Sequence, residues 1–157
     1  MIHALRFTIG VKRVLLIASL VPPLAIPLCT VLAVPTVKQV VAGVYHSCFV
    51  KSDGSLWGMG DNEYGQLGLG FGLSQTNLPQ QLANTNVTAA AAGYWHTLFL
   101  ENGSPWAMGY NDDGELGDGT TNNHYFPEQI VSGGVATLAA GYFHSLFLRA
   151  DPSLTLP

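Results

Sequence analysis

A nine-residue stretch, AGYWHTLFL from Ala92 to Leu100, recurs as AGVYHSCFV from Ala42 to Val50 and as AGYFHSLFL from Ala140 to Leu148. Its histidines, His46, His96 and His144, stand 50 and 48 residues apart. A period of this length restricts the chain to repeat architectures, because one such unit cannot bury its apolar face alone and must stack on its neighbours.

The repetition extends past this stretch. Ser55-Leu56-Trp57-Gly58-Met59-Gly60 returns as Ser104-Pro105-Trp106-Ala107-Met108-Gly109. Asn62-Glu63-Tyr64-Gly65-Gln66-Leu67-Gly68 returns as Asn111-Asp112-Asp113-Gly114-Glu115-Leu116-Gly117. Pro79-Gln80-Gln81-Leu82 then matches Pro127-Glu128-Gln129-Ile130, with one extra residue between Gly68 and Pro79 to account for the unequal spacing. The third unit follows the pattern to Leu154, so about two and a third units are present.

Within the second unit, residues 87–92 are small and apolar, as suits a strand packed closely on its neighbours. Thr97-Leu98-Phe99-Leu100 reads as the next strand, with Leu98 and Leu100 on one face and Thr97 and Phe99 on the other. Asn102-Gly103, like Asp53-Gly54 in the first unit, predicts a two-residue hairpin turn with both central residues at positive φ. Trp57 and Trp106 open a returning strand, and Pro79 or Pro127 leads into a fourth at the sheet edge, where proline is tolerated. Four short strands per unit, and no capped helical period after residue 35, predict an all-β chain of propeller blades.

The blocks A-G-x-x-H-[ST]-x-F, D-G-S-L-W, N-x-x-G-x-L-G and D-G-T-T, in that order, resemble the repeat of the regulator of chromosome condensation family over roughly residues 38 to 154. The resemblance implies β-propeller blades, typically seven to a ring. Two departures stand out. Asp118-Gly119-Thr120-Thr121 has Leu69-Gly70-Phe71-Gly72 as its counterpart in the first unit. Two and a third blades also fall short of the four or more that close a ring and protect its edges, so the chain reads as a fragment of a larger ring or as one member of a homo-oligomer.

Ahead of the repeats, Met1 to Arg13 is mildly basic and Val14 to Val34 carries no charge. Val31-Leu32-Ala33 suits a cut after Ala33, so residues 1–33 read as a secretory signal peptide. The uncharged run is also long enough for a membrane anchor, and a spurious upstream extension is the third reading. Residues 34–157 form the incomplete propeller, and the working expectation is a secreted or cell-surface protein. Beyond residue 33 only Lys38, Lys51 and Arg149 oppose ten acids, a net −7, which repels phosphate and disfavours nucleic acid. Cys48 sits where the other units have Leu98 and Leu146, and reads as a small buried hydrophobe.

No residue set for catalysis stands out. The three equivalent histidines belong to different blades and do not converge, so no metal or other cofactor is expected; each reads as a structural residue bonded to backbone. Ser47, Thr97 and Ser145 adjoin them but point to the opposite strand face. The acidic loop Asn111–Glu115 with Asp118 lacks the spacing of the twelve-residue calcium loop and reads as a solvated turn. Gly43, Gly93 and Gly141, together with Trp57 and Trp106, read as structural.

The informative positions are the pairs just before each histidine: Val44-Tyr45, Tyr94-Trp95 and Tyr142-Phe143. They fall in the turn between the first two strands of successive blades, which sets five aromatic side chains along one rim. Large aromatics at turn tips are the usual anchors of protein interfaces. The leading expectation is therefore an exported, non-catalytic module that binds a protein partner through Tyr45, Tyr94, Trp95, Tyr142 and Phe143. Exported β-lactamase inhibitors built on similar repeats are the nearest analogy that the resemblance offers. Guanine-nucleotide exchange on a small GTPase, and a fragment of a larger surface repeat protein, are the alternatives.

Overall fold

The computed structural model describes residues 6–9, 12–15 and 33–150. It divides into Met1–Ala33 and Val34–Pro157. In the first unit, β1 (Arg6–Ile9) pairs antiparallel with β2 (Lys12–Leu15). Residues 1–5, 10–11 and 16–32 of the stretch read as a signal or anchor lie outside the described residues.

The second unit is all β. The first blade is β3 (Val37–Ala42), β4 (His46–Lys51), β5 (Leu56–Asp61) and β6 (Gln75–Ala83), antiparallel in that order. The second repeats it as β7 (Val87–Ala92), β8 (His96–Glu101), β9 (Ser104–Gly109) and β10 (His124–Gln129). β11 (Val135–Ala140) and β12 (Ser145–Arg149) form the inner half of a third. The innermost strands β3, β7 and β11 lie side by side. The side-chain amide of Gln39 clasps β3 to β7, accepting from Ala90 N at 3.0 Å and donating to Ala90 O at 2.9 Å.

The two β-hairpins between second and third strands differ from each other. Asn102 and Gly103 both take positive φ, 53° and 72°, and form the expected two-residue turn between Glu101 and Ser104. In the first blade only Gly54 does, at φ 80°, and Lys51 N bonds Ser55 O while Gly54 N bonds Lys51 O. That is a three-residue loop, Ser52-Asp53-Gly54, ending in a left-handed glycine. Asp53 stays out of the left-handed region, and its carboxylate reaches two residues on, accepting from Ser55 N at 3.0 Å and Ser55 Oγ at 2.6 Å. The loop holds the first unit's second extra residue, which the repeat spacing alone had placed wholly between Gly68 and Pro79.

Alternation along the second strand sends its two faces into two junctions. Phe99 joins Cys48, Val50, Leu56 and Leu67 between the first and second blades, while Leu98 joins Ala107 and Leu116 and meets Leu138 and Phe147 of the third. The middle blade is covered on both sides, so Thr97 to Leu100 are all buried. In β12 the same positions diverge: Leu146 and Leu148 are 62% and 63% exposed. Trp57 and Trp106 stack on Phe49 and Phe99 at 6.5 and 6.2 Å. Lys51 Nζ caps Trp57 at 3.9 Å from the ring centroid.

Candidate functional site

The spacing Gly-x-x-His has a steric cause. Gly43 N bonds His46 O at 2.9 Å, Gly93 N bonds His96 O at 2.9 Å and Gly141 N bonds His144 O at 2.8 Å, each closing the turn that carries the aromatic pair. The fold brings each imidazole back over the glycine, where a methyl group would overlap ring atoms of His46, His96 or His144.

His46 and His96 each reach a side-chain hydroxyl of the next blade, a partner the sequence had not suggested. His46 Nε2 meets Thr97 Oγ1 of the next blade at 2.8 Å, and that hydroxyl donates back to Gln66 O of the first blade at 2.7 Å. The second junction repeats the device: His96 Nε2 to Ser145 Oγ at 3.3 Å, and Ser145 Oγ to Glu115 O at 2.5 Å. Sequence reasoning considered the hydroxyl only beside its own histidine; the partner lies one blade back. Because Thr97 spends its hydrogen on Gln66 O, His46 is assigned as donor from Nε2, leaving a bare, buried Nδ1 without a partner. Burial, reinforced by the charge of His96, pulls His46 down to about 4, and burial likewise pulls His96 down to about 4. His144 has lost this environment and is exposed. Burial pushes the Cys48 thiol up to about 12, consistent with an inert packing residue.

The loops after β5 and β9 are stapled from inside. Asn62 and Asn111 Oδ1 accept Leu67 N and Leu116 N, both at 2.9 Å. Gln66 and Glu115 accept Tyr64 N and Asp113 N, both at 3.0 Å. Asn111 and Glu115 are 0% and 1% exposed and hold the turn from inside, while Asp112 and Asp113 at its tip are exposed, as expected of a solvated turn. The carboxylate of Asp118 accepts from Thr120 N, Thr120 Oγ1 and Asn111 Nδ2. Partial burial opposes its ionisation, but these bonds and His124 hold its carboxyl well below the usual range.

These loops also fix the turns: Asp61 N donates to Tyr45 O and Tyr110 N to Trp95 O, both at 2.9 Å. Tyr94 N bonds Tyr142 O at 3.2 Å, tying one turn to the next. The five expected aromatics come together as one array. Tyr94 lies 5.6 Å from Tyr45, 4.0 Å from Trp95 and 4.2 Å from Tyr142, with Phe143 4.4 Å beyond Tyr142. Tyr45, Tyr142 and Phe143 are 54%, 53% and 44% exposed; Trp95 is half-buried at the centre. The hydrogen bond shared by the Tyr45 and Tyr94 hydroxyls, together with nearby negative charge, raises the Tyr45 phenol above its ordinary value.

The model of the regulator of chromosome condensation (RCC1) repeat matches residues 53–100 and 102–148, and a second model of that repeat matches residues 37–66. The chain belongs to the regulator of chromosome condensation repeat family. The X-linked retinitis pigmentosa GTPase regulator homolog of Caenorhabditis elegans is 38% identical over 69 residues, 42% of this chain and 5% of that protein. Prp20p of Saccharomyces cerevisiae, solved in work on its binding to Gsp1p and histones, superposes with a TM-score of 0.63 at 19% identity, over 75% of this chain and 32% of its own. Yeast RCC1 (Prp20) bound to Kap60 gives the same TM-score over 31% of that chain. This chain is thus a partial propeller that spans about a third of those structures.

The staples and junctions recur in register in the two RCC1 repeats. Sequence reasoning passed over three residues. Tyr64 and Tyr110 extend the aromatic array, at 5.1 and 5.5 Å from Trp95. Their signal was a tyrosine beside each loop asparagine position, hidden because Tyr64 follows Asn62 and Tyr110 precedes Asn111. His124 lies 2.6 Å from both Asp118 Oδ2 and Glu128 Oε2, fastening the D-G-T-T loop to β10; an acid four residues on was its only trace.

Proposed function

We propose that this chain is an exported, non-catalytic binding module that docks a protein partner through Tyr45, Tyr94, Trp95, Tyr142 and Phe143. The observation that carries the reading is the continuity of these rings across three successive blade turns, with the outer ones exposed. Aromatic side chains held by a rigid scaffold offer large contact area at low entropic cost. Stapled loops and inter-blade bonds supply that rigidity. The net −7 beyond residue 33 weighs against nucleic acid. Export rests on the uncharged run of residues 14–34. Association of several copies would complete a ring.

The test is binding of the full chain to a panel of exported enzymes and surface proteins by surface plasmon resonance. A partner should lose at least about thirtyfold in affinity with Tyr142→Ala/Phe143→Ala, since interface anchors cost about 2 kcal/mol or more. Partners that bind the double variant unchanged would overturn the rim reading. Export is tested by fusing residues 1–33 to a reporter enzyme that is active only outside the cytoplasm; an inactive fusion overturns it.

A second reading is regulation of a small GTPase, supported by the 38% identity to a GTPase regulator homolog. Faster nucleotide release from candidate GTPases would support it, and unchanged release would dismiss it.

A further inference from the structure

One face of the aromatic array opens into a cleft of about 970 Å³, between the end of β5, the start of β6 and the neighbouring blade's turn. Tyr45, Tyr64 and Trp95 form its aromatic side, Asp61 and Glu63 its charged side, and no lysine or arginine lines it. Asp61 cannot swing away: Oδ1 accepts Glu63 N at 3.1 Å and Oδ2 accepts Gln66 Nε2 at 2.9 Å. Glu63 is exposed beside it.

Internal repetition separates what the fold needs from what this cleft adds. Asn62, Gly65, Leu67 and Gly68 have identical counterparts in Asn111, Gly114, Leu116 and Gly117. Asp61, Glu63 and Tyr64 instead align with Tyr110, Asp112 and Asp113, so the second loop has no acid at the position of Asp61, the carboxylate bonded through both oxygens. The faces of aromatic rings carry negative potential, which adds to that of the two carboxylates. The chain already shows the pairing elsewhere, in Lys51 Nζ over Trp57 at 3.9 Å.

The cleft is far larger than one ammonium group, and it runs along Gln75 to Asn77 of β6. β6 is the outermost strand of its blade, and its outer edge has no strand partner among the described residues. An unpaired edge offers backbone hydrogen bonds to an extended segment. We infer that this cleft receives an extended basic segment of a protein partner, with a lysine or arginine side chain against Tyr45, Tyr64 and Trp95 and its charge met by Asp61 and Glu63. The inference deepens the rim reading and rests on it for the partner being a protein.

The probe is a capped tri-arginine peptide, titrated into the full chain while the Trp95 indole N–H is followed by NMR. Saturable shifts are expected, weakened at least about tenfold by Glu63→Lys and reduced by added salt. Glu63 is exposed, so this substitution leaves the fold intact. No saturation, or equal affinity in Glu63→Lys, overturns the inference. So does tetramethylammonium binding as tightly as the peptide, because the strand edge would then contribute nothing. The two readings fail separately. A rim partner sensitive to Tyr142→Ala/Phe143→Ala but indifferent to Glu63→Lys removes the cleft and leaves the rim. Saturable tri-arginine binding with no rim-dependent partner removes the rim.

Discussion

His46 Nε2 lies 2.8 Å from Thr97 Oγ1, across the junction between the first and second blades, and the threonine hydroxyl passes its own hydrogen to Gln66 O. One hydroxyl thereby satisfies two buried groups of the preceding blade. Thr97→Val keeps the shape and removes the hydroxyl, leaving the His46 N–H and the Gln66 carbonyl unpaired. The expected cost is about 2 kcal/mol in urea unfolding of the full chain, with Thr97→Ser close to the parent. Equal midpoints for the valine and serine variants would contradict the bridge.

The same geometry sets a pH dependence. His46 and His96 titrate at about 4 in the folded chain against 6.5 when free. Between those values the unfolded chain binds protons that the folded chain does not. Stability is therefore full above pH 6.5 and falls as pH drops towards 4, by on the order of 3 kcal/mol per histidine. Asp118 is held below its ordinary 3.8, so its contribution is lost only further down. Unfolding free energies measured from about pH 7.5 to about pH 4.5 should decline through this window, and a flat profile would refute the burial account.

The glycines beneath the histidines separate steric need from sequence repetition. A methyl at Gly93 meets the His96 ring and Gly141 O, at 2.6 Å or less from Nδ1 and 2.7 Å from that oxygen, and His96 is buried and cannot move aside. The atoms nearest a methyl at Gly141 all belong to the ring of His144, which is exposed and can swing out. Gly93→Ala should cost about 3 kcal/mol and Gly141→Ala less than about 1 kcal/mol in thermal or urea unfolding. Similar costs would mean that the ring over the glycine is not the reason for the motif.

How much of this was legible follows from what repeats. Strand count and strand faces were readable, because alternation and repetition encode them directly. The inter-blade bonds were not, since His46 and Thr97 are 51 residues apart and belong to different copies of one motif. Comparing copies shows which residues are equivalent, not which copy a side chain reaches. Ser52 was missed in the same way: alignment of motif blocks hides an insertion that a change of turn absorbs. The burial of Glu115 was obscured by its charge, which ordinarily signals solvent.

Cys48 reports on the first junction. Its thiol is buried and pushed up to about 12, so the reactive thiolate is scarce at neutral pH. In a Cys29→Ser background, Cys48 should resist thiol reagents until denaturant opens the blades, and Thr97→Val should speed its labelling. Rapid labelling of the native parent would show that the junction opens without unfolding.

Leu146 and Leu148 occupy the positions that Leu98 and Leu100 hold in the second blade, where those side chains are 0% and 2% exposed. The difference is geometric: Leu98 and Leu100 face the third blade, whereas Leu146 and Leu148 face outward, more than 60% exposed, beside an edge of β12 that has no strand partner among the described residues. An apolar strand face next to a free edge drives self-association unless another surface covers it. Light scattering on the purified full chain should therefore show species larger than a monomer. Leu146→Ser/Leu148→Ser, which weakens the face without touching the other two blades, should shift the distribution towards monomer. A parent that stays monomeric across the accessible concentration range would mean that this face is tolerated bare, and would remove the case for a ring assembled from several copies.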